Sequence, residues 1–139
     1  MKSNRDYRPK RGALRRAAVL GVMLSLGAPA GDAGAAAPIK VSDVRLAAPA
    51  DDRAEIVVAT SGEPRFSARI ADGGKRLLID LEGAEMSGAP GAITDGNAIV
   101  AGVMTQGFGK AAQRTTRLLV QLARPAAYRI RAEQGALVV

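Results

Sequence analysis

Beyond residue 38 the chain alternates apolar and polar positions at period two, broken at short intervals by turn residues, which predicts antiparallel strands. The phrase Arg76-Leu77-Leu78-Ile79-Asp80-Leu81 sets Leu77, Ile79 and Leu81 on one face and Asp80 on the other. It returns as Arg117-Leu118-Leu119-Val120-Gln121-Leu122, and 55–60 is a looser third copy. Strands are predicted over 39–46, 55–60, 65–70, 75–82, 99–106, 115–122, 128–132 and 136–139. Within the first, the apolar spacing steps from two to three around Ser42-Asp43, which predicts a bulge. Over 65–70, Phe66, Ala68 and Ile70 point inward, with Arg65, Ser67 and Arg69 outward. Asp72-Gly73-Gly74 accepts the positive φ of a hairpin turn. Turns are also expected at 47–53 and at Gly107-Phe108-Gly109, and the Gly- and Pro-rich stretch 83–97 reads as a surface loop.

A longer self-match accompanies the repeated phrase. Residues 56–58 align with 118–120, Phe66 with Tyr128, Arg69 with Arg131 and Gly73 with Gly135; after a one-residue gap, 77–79 align with 137–139. Chance similarity among apolar strands would produce some of this. Two related halves facing each other across one core would produce all of it. The fold expected is all-β: a small sandwich of two antiparallel sheets with an internal pseudo-repeat, preceded by a signal peptide.

The leader is read from charge order. Lys2, Arg5, Arg8, Lys10, Arg11, Arg15 and Arg16 crowd the start, an apolar stretch follows to about Ala30, and then come the small residues 31–37. That is the layout of an export signal. Its apolar run is broken by Pro29 and falls short of the roughly 20 residues of a spanning helix. Residues 1–35 are therefore assigned to a cleaved signal peptide, retention as an anchor being the alternative, and 36–139 to one domain. The formal charge of +7 belongs mostly to the leader. Residues 1–35 hold seven basic and two acidic side chains, which leaves 13 and 11 and a body near +2. A near-neutral body lacks the field that nucleic acid binding needs. With no cysteine the core is held by packing alone.

Histidine is absent as well, which removes Ser-His and Cys-His nucleophiles and the common zinc ligand sets. Asp80 and Glu82 share a strand face, where solvated outer-face residues are the simpler reading than an acid–base pair. No catalytic residue, metal site or cofactor is assigned, and the chain is read as a binder. Its body has three aromatics. Phe66 and Tyr128 sit at apolar-side positions and are expected in the core. Phe108 either tucks over a sheet edge or offers an apolar knob to a partner. The candidate binding residues are Arg65, Arg69, Phe108, Arg129 and Arg131, because an arginine fork fits a carboxylate. Solvated faces and edge charges that discourage aggregation are the competing reading of those arginines. Arg76 and Arg117 either brace their strands against an acidic neighbour or act in binding.

These phrases, in this order and spacing, resemble the AMIN domain family. The matching elements are the opening strand 39–46, 55–58 leading through Gly62 and Pro64 to Phe66, and 75–81 followed by Gly83-Ala84. Residues 103–108 with Gln106, 116–122, and 125–130 continue the match. AMIN domains precede septal N-acetylmuramoyl-L-alanine amidases and type IV pilus secretins. The resemblance implies two facing sheets, a periplasmic location and a noncatalytic role in binding peptidoglycan and localising what is attached. No such partner domain is found in these 139 residues. The partners implied are peptidoglycan and, as the alternative, an envelope protein, whether a secretin, a pilus component or a separately encoded amidase. No membrane span is expected after cleavage.

Overall fold

The computed structural model describes residues 36–139, so the leader assigned to 1–35 lies outside the described residues. The described chain forms strands β1 (Ile39–Ala50), β2 (Arg53–Thr60), β3 (Arg65–Ala71), β4 (Arg76–Glu82) and β5 (Ala84–Met86). They are followed by β6 (Ala92–Ile93), β7 (Val100–Phe108), β8 (Thr115–Leu122), β9 (Arg131–Glu133) and β10 (Ala136–Val138). Two sheets result, ordered β5-β1-β2-β10-β9 and β3-β4-β8-β7-β6. All pairs are antiparallel except β5 with β1. The all-β sandwich is as expected.

The pseudo-repeat is present, but its halves do not occupy one sheet each. Written from the other edge, the second sheet is β6-β7-β8-β4-β3, in which β7-β8-β4-β3 matches β1-β2-β10-β9 strand for strand. The outermost strands differ, β5 lying parallel to β1 and β6 antiparallel to β7. The β3–β4 hairpin leaves the sheet of β2 and pairs with β8; the β9–β10 hairpin leaves the sheet of β8 and pairs with β2. The halves are interlocked by exchanged hairpins. Both leading hairpins carry a bulge at the same place. The register shifts between Val41 and Asp43 in β1 and between Val100 and Gly102 in β7. The expected bulge near Ser42 is therefore one of two.

The core follows from the inward halves of these strands. One inner row runs Val44–Val58–Leu137 in the first sheet, and its counterpart runs Val103–Val120–Leu77 in the second. All six are buried, together with Ile56, Ile79, Leu81 and Leu118. Each such side chain contributes about 1.5–3 kcal/mol on leaving water. Thr116 is fully buried and polar, and it donates from Oγ1 to the Ala84 carbonyl at 3.0 Å. That bond joins β8 of one sheet to β5 of the other.

Four local expectations are corrected. The turn at 47–53 shrinks to Asp51-Asp52, because β1 continues to Ala50. Pro49, which has no N–H to donate, falls in the register irregularity between Ala47 and Ala50. The stretch 83–97 is not all loop. Gly83, at φ 65, lets the chain leave β4 and lay β5 parallel to β1, and β6 then returns to pair with β7. Phe108 is the last residue of β7 and lies outside the turn, which instead occupies 109–114 around a short 3-10 turn at Ala111–Gln113. Lastly, the strand at 128–132 is reduced to Arg131–Glu133, and the segment from Pro125 to Ile130 is irregular. Tyr128 consequently has no strand position in the core and is 46% exposed, whereas Phe66 packs against the core as expected.

Candidate functional site

Outward side chains of the second sheet fall in rows set by its register. One row crosses Arg69, Leu78, Leu119 and Met104. The adjacent row places Asp80 opposite Arg117 and Arg117 opposite Gln106. Beyond it, Arg65 stands opposite Glu82, and Thr115 opposite Phe108. At about 4.8 Å per strand and 3.4 Å per residue, Arg65, Arg69, Met104 and Phe108 frame a patch roughly 14 Å on a side.

The centre of that patch is an ion pair. Arg117 Nε donates to Asp80 Oδ1 at 2.6 Å and its Nη2 donates to Oδ2 at 2.8 Å, a two-pronged contact between neighbouring strands. The Arg117 hydrogen bond holds the Asp80 carboxyl below its usual range against the opposing cost of burial, with smaller help from the charges of Arg117 and Arg69. Reciprocally, Asp80 raises the Arg117 guanidinium above its ordinary value. The Arg117 guanidinium carbon also lies 5.5 Å from the centre of the Phe108 ring, within range of a cation–π contact. Phe108 thus lies against its own sheet, yet remains 48% exposed, as does Met104 further along the same strand at 47%.

Arginines on this face divide into two kinds. Arg117 is held by Asp80, and Arg76 by Asp72 at 2.8 Å and by the Gln121 side chain at 3.2 Å. These are the arginines of the repeated phrase, and both brace strands against an acidic neighbour. Arg65 and Arg69 form no ion pair among the described residues. They stand on β3, the outer strand of the sheet, as exposed cations beside an apolar stripe. Such a face can receive a ligand that offers carboxylates at one side and a flat, partly apolar surface at the other.

Arg65, Arg69 and Phe108 are brought together in this way, whereas Arg129 and Arg131 are not. Arg131 is on β9 at the edge of the first sheet, 3.9 Å from Glu133, and Arg129 lies in the irregular segment before it. Both line a cleft of about 460 Å³ at the end of the sandwich, with Arg53 and Tyr128 at its rim and Ile56, Leu77, Val120 and Leu122 below. Arg131 does hold the place in the first sheet that Arg69 holds in the second, opposite Val138 as Arg69 is opposite Leu78. Three contributors to the second-sheet face were not among the candidates: Leu78, Leu119 and Met104. The signal for two of them was the doubled leucine in both copies of the repeated phrase, whose second member must point outward.

The family model of the AMIN domain matches residues 43–139, well over half of the chain. No curated protein matches it.

Proposed function

The chain belongs to the AMIN domain family, whose members are noncatalytic periplasmic modules that bind peptidoglycan, and from this premise we propose that it binds the cell wall through the outer face of its second sheet. The observation that carries the reading is the pairing pattern of its arginines. Neighbouring arginines are neutralised by Asp80 and Asp72, while Arg65 and Arg69 form no ion pair among the described residues and share the face with exposed Phe108 and Met104. Peptidoglycan offers the complement: peptide-stem carboxylates for the guanidinium forks and sugar faces for the apolar stripe. In this reading residues 1–35 export the chain and are removed, and 36–139 are the working protein.

The test is co-sedimentation of the protein, purified from the periplasm of an expressing bacterium, with purified sacculi. Binding should exceed that of an inert periplasmic control and fall as salt screens the arginines. Arg65→Ala with Arg69→Ala should weaken it several-fold, and Phe108→Ala should weaken it further. Recovery equal to the control, or unchanged by all three substitutions, would reject the face. A second reading, in which the protein serves a pilus, secretin or amidase complex as an accessory subunit, draws support from the edge of the same sheet.

A further inference from the structure

We propose that strand β3 is a docking edge for an extended, acidic segment of a partner protein, which adds to the second sheet as a further strand. Each sheet has two outer strands, and three of the four are minimal: β5 and β9 have three residues each and β6 has two. β3 has seven. All seven pair with β4 without a register shift, and their other side pairs with no described residue. Long regular edges are usually blunted by a proline, a bulge, a covering loop or charged side chains, and of these β3 carries only the charges, Arg65 and Arg69. Here Pro64 lies just before the strand, and no proline or bulge interrupts Arg65–Ala71.

The side chains beside that open ladder specify the occupant. An added strand would lie about 4.8 Å from β3, its side chains alternating between the two faces. On one face it meets Arg65 and Arg69, cations with no ion pair among the described residues. On the other it meets exposed Ala68 and Ile70, the latter 41% accessible, whose row continues the buried Ile79 and Leu77. The fitting segment carries acidic residues four apart on one face and apolar residues between them on the other. A second copy of this chain fits poorly. Antiparallel pairing about Ser67 sets Arg65 of one copy against Arg69 of the other twice over, and like charges directly opposite are destabilising. This inference shares Arg65 and Arg69 with the wall-binding face and differs from it in its use of the free backbone edge, which the proline variants below separate from sacculi binding.

The probe is a synthetic peptide with the central pattern Glu-Val-Thr-Val-Glu, against a control in which both glutamates are lysine, each titrated into the isotopically labelled protein and followed by NMR. The glutamate peptide should slow amide exchange within 65–71 and bind about tenfold more tightly than the lysine peptide, as two exposed ion pairs allow. Combined Arg65→Glu and Arg69→Glu should reverse that preference. Ser67→Pro and Ala68→Pro complete the test. Adjacent residues of a strand direct their N–H groups to opposite sides, so one of the two substitutions blocks the open side and leaves the β4 ladder intact. That folded variant should lose the peptide and keep sacculi binding. Equal affinity for the two peptides, no binding at the solubility limit, exchange protection confined to other strands, self-association through β3, or joint loss of peptide and sacculi would each overturn the proposal.

Discussion

Removal of the Asp80–Arg117 pair tests the electrostatic reading of the second-sheet face most directly. Two unit charges about 4 Å apart attract by about 1 kcal/mol in bulk water and about 4 kcal/mol at a typical protein surface. The Arg117 and Asp80 side chains remain 34% and 23% exposed, so solvent screens much of that gain. Ordering two side chains removes more of it. What remains for the pair is about 1 kcal/mol, the upper end for surface pairs, because the contact has two prongs. A double-mutant cycle of Asp80→Ala and Arg117→Ala, read by denaturant unfolding at neutral pH, should return that coupling. Its pH dependence has a fixed sign. The Asp80 carboxyl titrates lower in the folded protein than its ordinary value of about 3.9. The stabilisation is therefore complete above that ordinary value and is lost as pH falls through the lowered one. A coupling below about 0.3 kcal/mol at pH 7, or one that survives full protonation of Asp80, would refute the account.

Three further outcomes follow from the same geometry. Asp80→Asn releases the Arg117 guanidinium and removes one negative charge from the face, so sacculi should be bound more tightly while the protein becomes about 1 kcal/mol less stable; weaker binding would show that the arginines do not read carboxylates. Leu118→Ala empties a fully buried position between β4 and β7 and should cost about 2–5 kcal/mol in chemical denaturation, with sacculi binding retained where the protein stays folded. Gly109→Ala should be among the most damaging glycine changes, since φ is +74 and the new Cβ would stand 2.1 Å from the Gln113 carbonyl oxygen; Gly62→Ala, where a Cβ meets nothing within 4 Å, should shift the melting temperature little.

What could be read in the sequence was whatever depends on a residue and its near neighbours. Period-two alternation located β2, β4, β7 and β8 closely, and the step at Ser42-Asp43 located a bulge. The phrases that failed were those whose conformation is decided by distant partners. Tyr128 and Ile130 alternate as a strand would, but Pro125 opens that segment and only Arg131–Glu133 finds a neighbour in β10. β5 has three residues and no alternation of its own; it exists because Gly83 turns the chain toward the free edge of β1. The inward orientation of Ala68 and Ile70 was legible, but their exposure was not, since it depends on how far the first sheet extends beneath β3. The same limit applied to the site. Asp80 and Arg117 lie 37 residues apart, and only the pairing of β4 with β8 makes them one ion pair.

The duplication supplies its own control for where binding belongs. Inner rows of the two sheets keep the same chemistry: Val44, Val58 and Leu137 in one, Val103, Val120 and Leu77 in the other. A shared core requires that agreement. Outward rows are under no such constraint, and they differ. Where the second sheet runs Arg69–Leu78–Leu119–Met104, the first runs Arg131–Val138–Val57–Arg45. Where the second sets Arg117 beside Gln106, the first sets Glu55 beside Ala47. On the first sheet Arg45 is held by Asp43 at 2.5 Å and Arg131 lies 3.9 Å from Glu133. Arg45 and Arg131 are thus engaged by carboxylates of their own sheet, Lys40 and Arg53 form no ion pair among the described residues, and Glu55 adds a negative charge where the second sheet has Arg117. On the second sheet the carboxylate of Asp80 is itself neutralised, and the charges outside any ion pair are Arg65, Arg69 and a single carboxylate, Glu82, across from Arg65. An acidic polymer that approaches this near-symmetric sandwich therefore meets a different outward row on each side, with Arg69 at the end of a Leu78–Leu119–Met104 row on the second sheet only. Transplanting Arg117 chemistry to the first sheet by Glu55→Arg should create a second, weaker attachment face, visible as a rise in sacculi-bound protein that Arg65→Ala with Arg69→Ala no longer abolishes; no rise would mean that charge alone does not select the face.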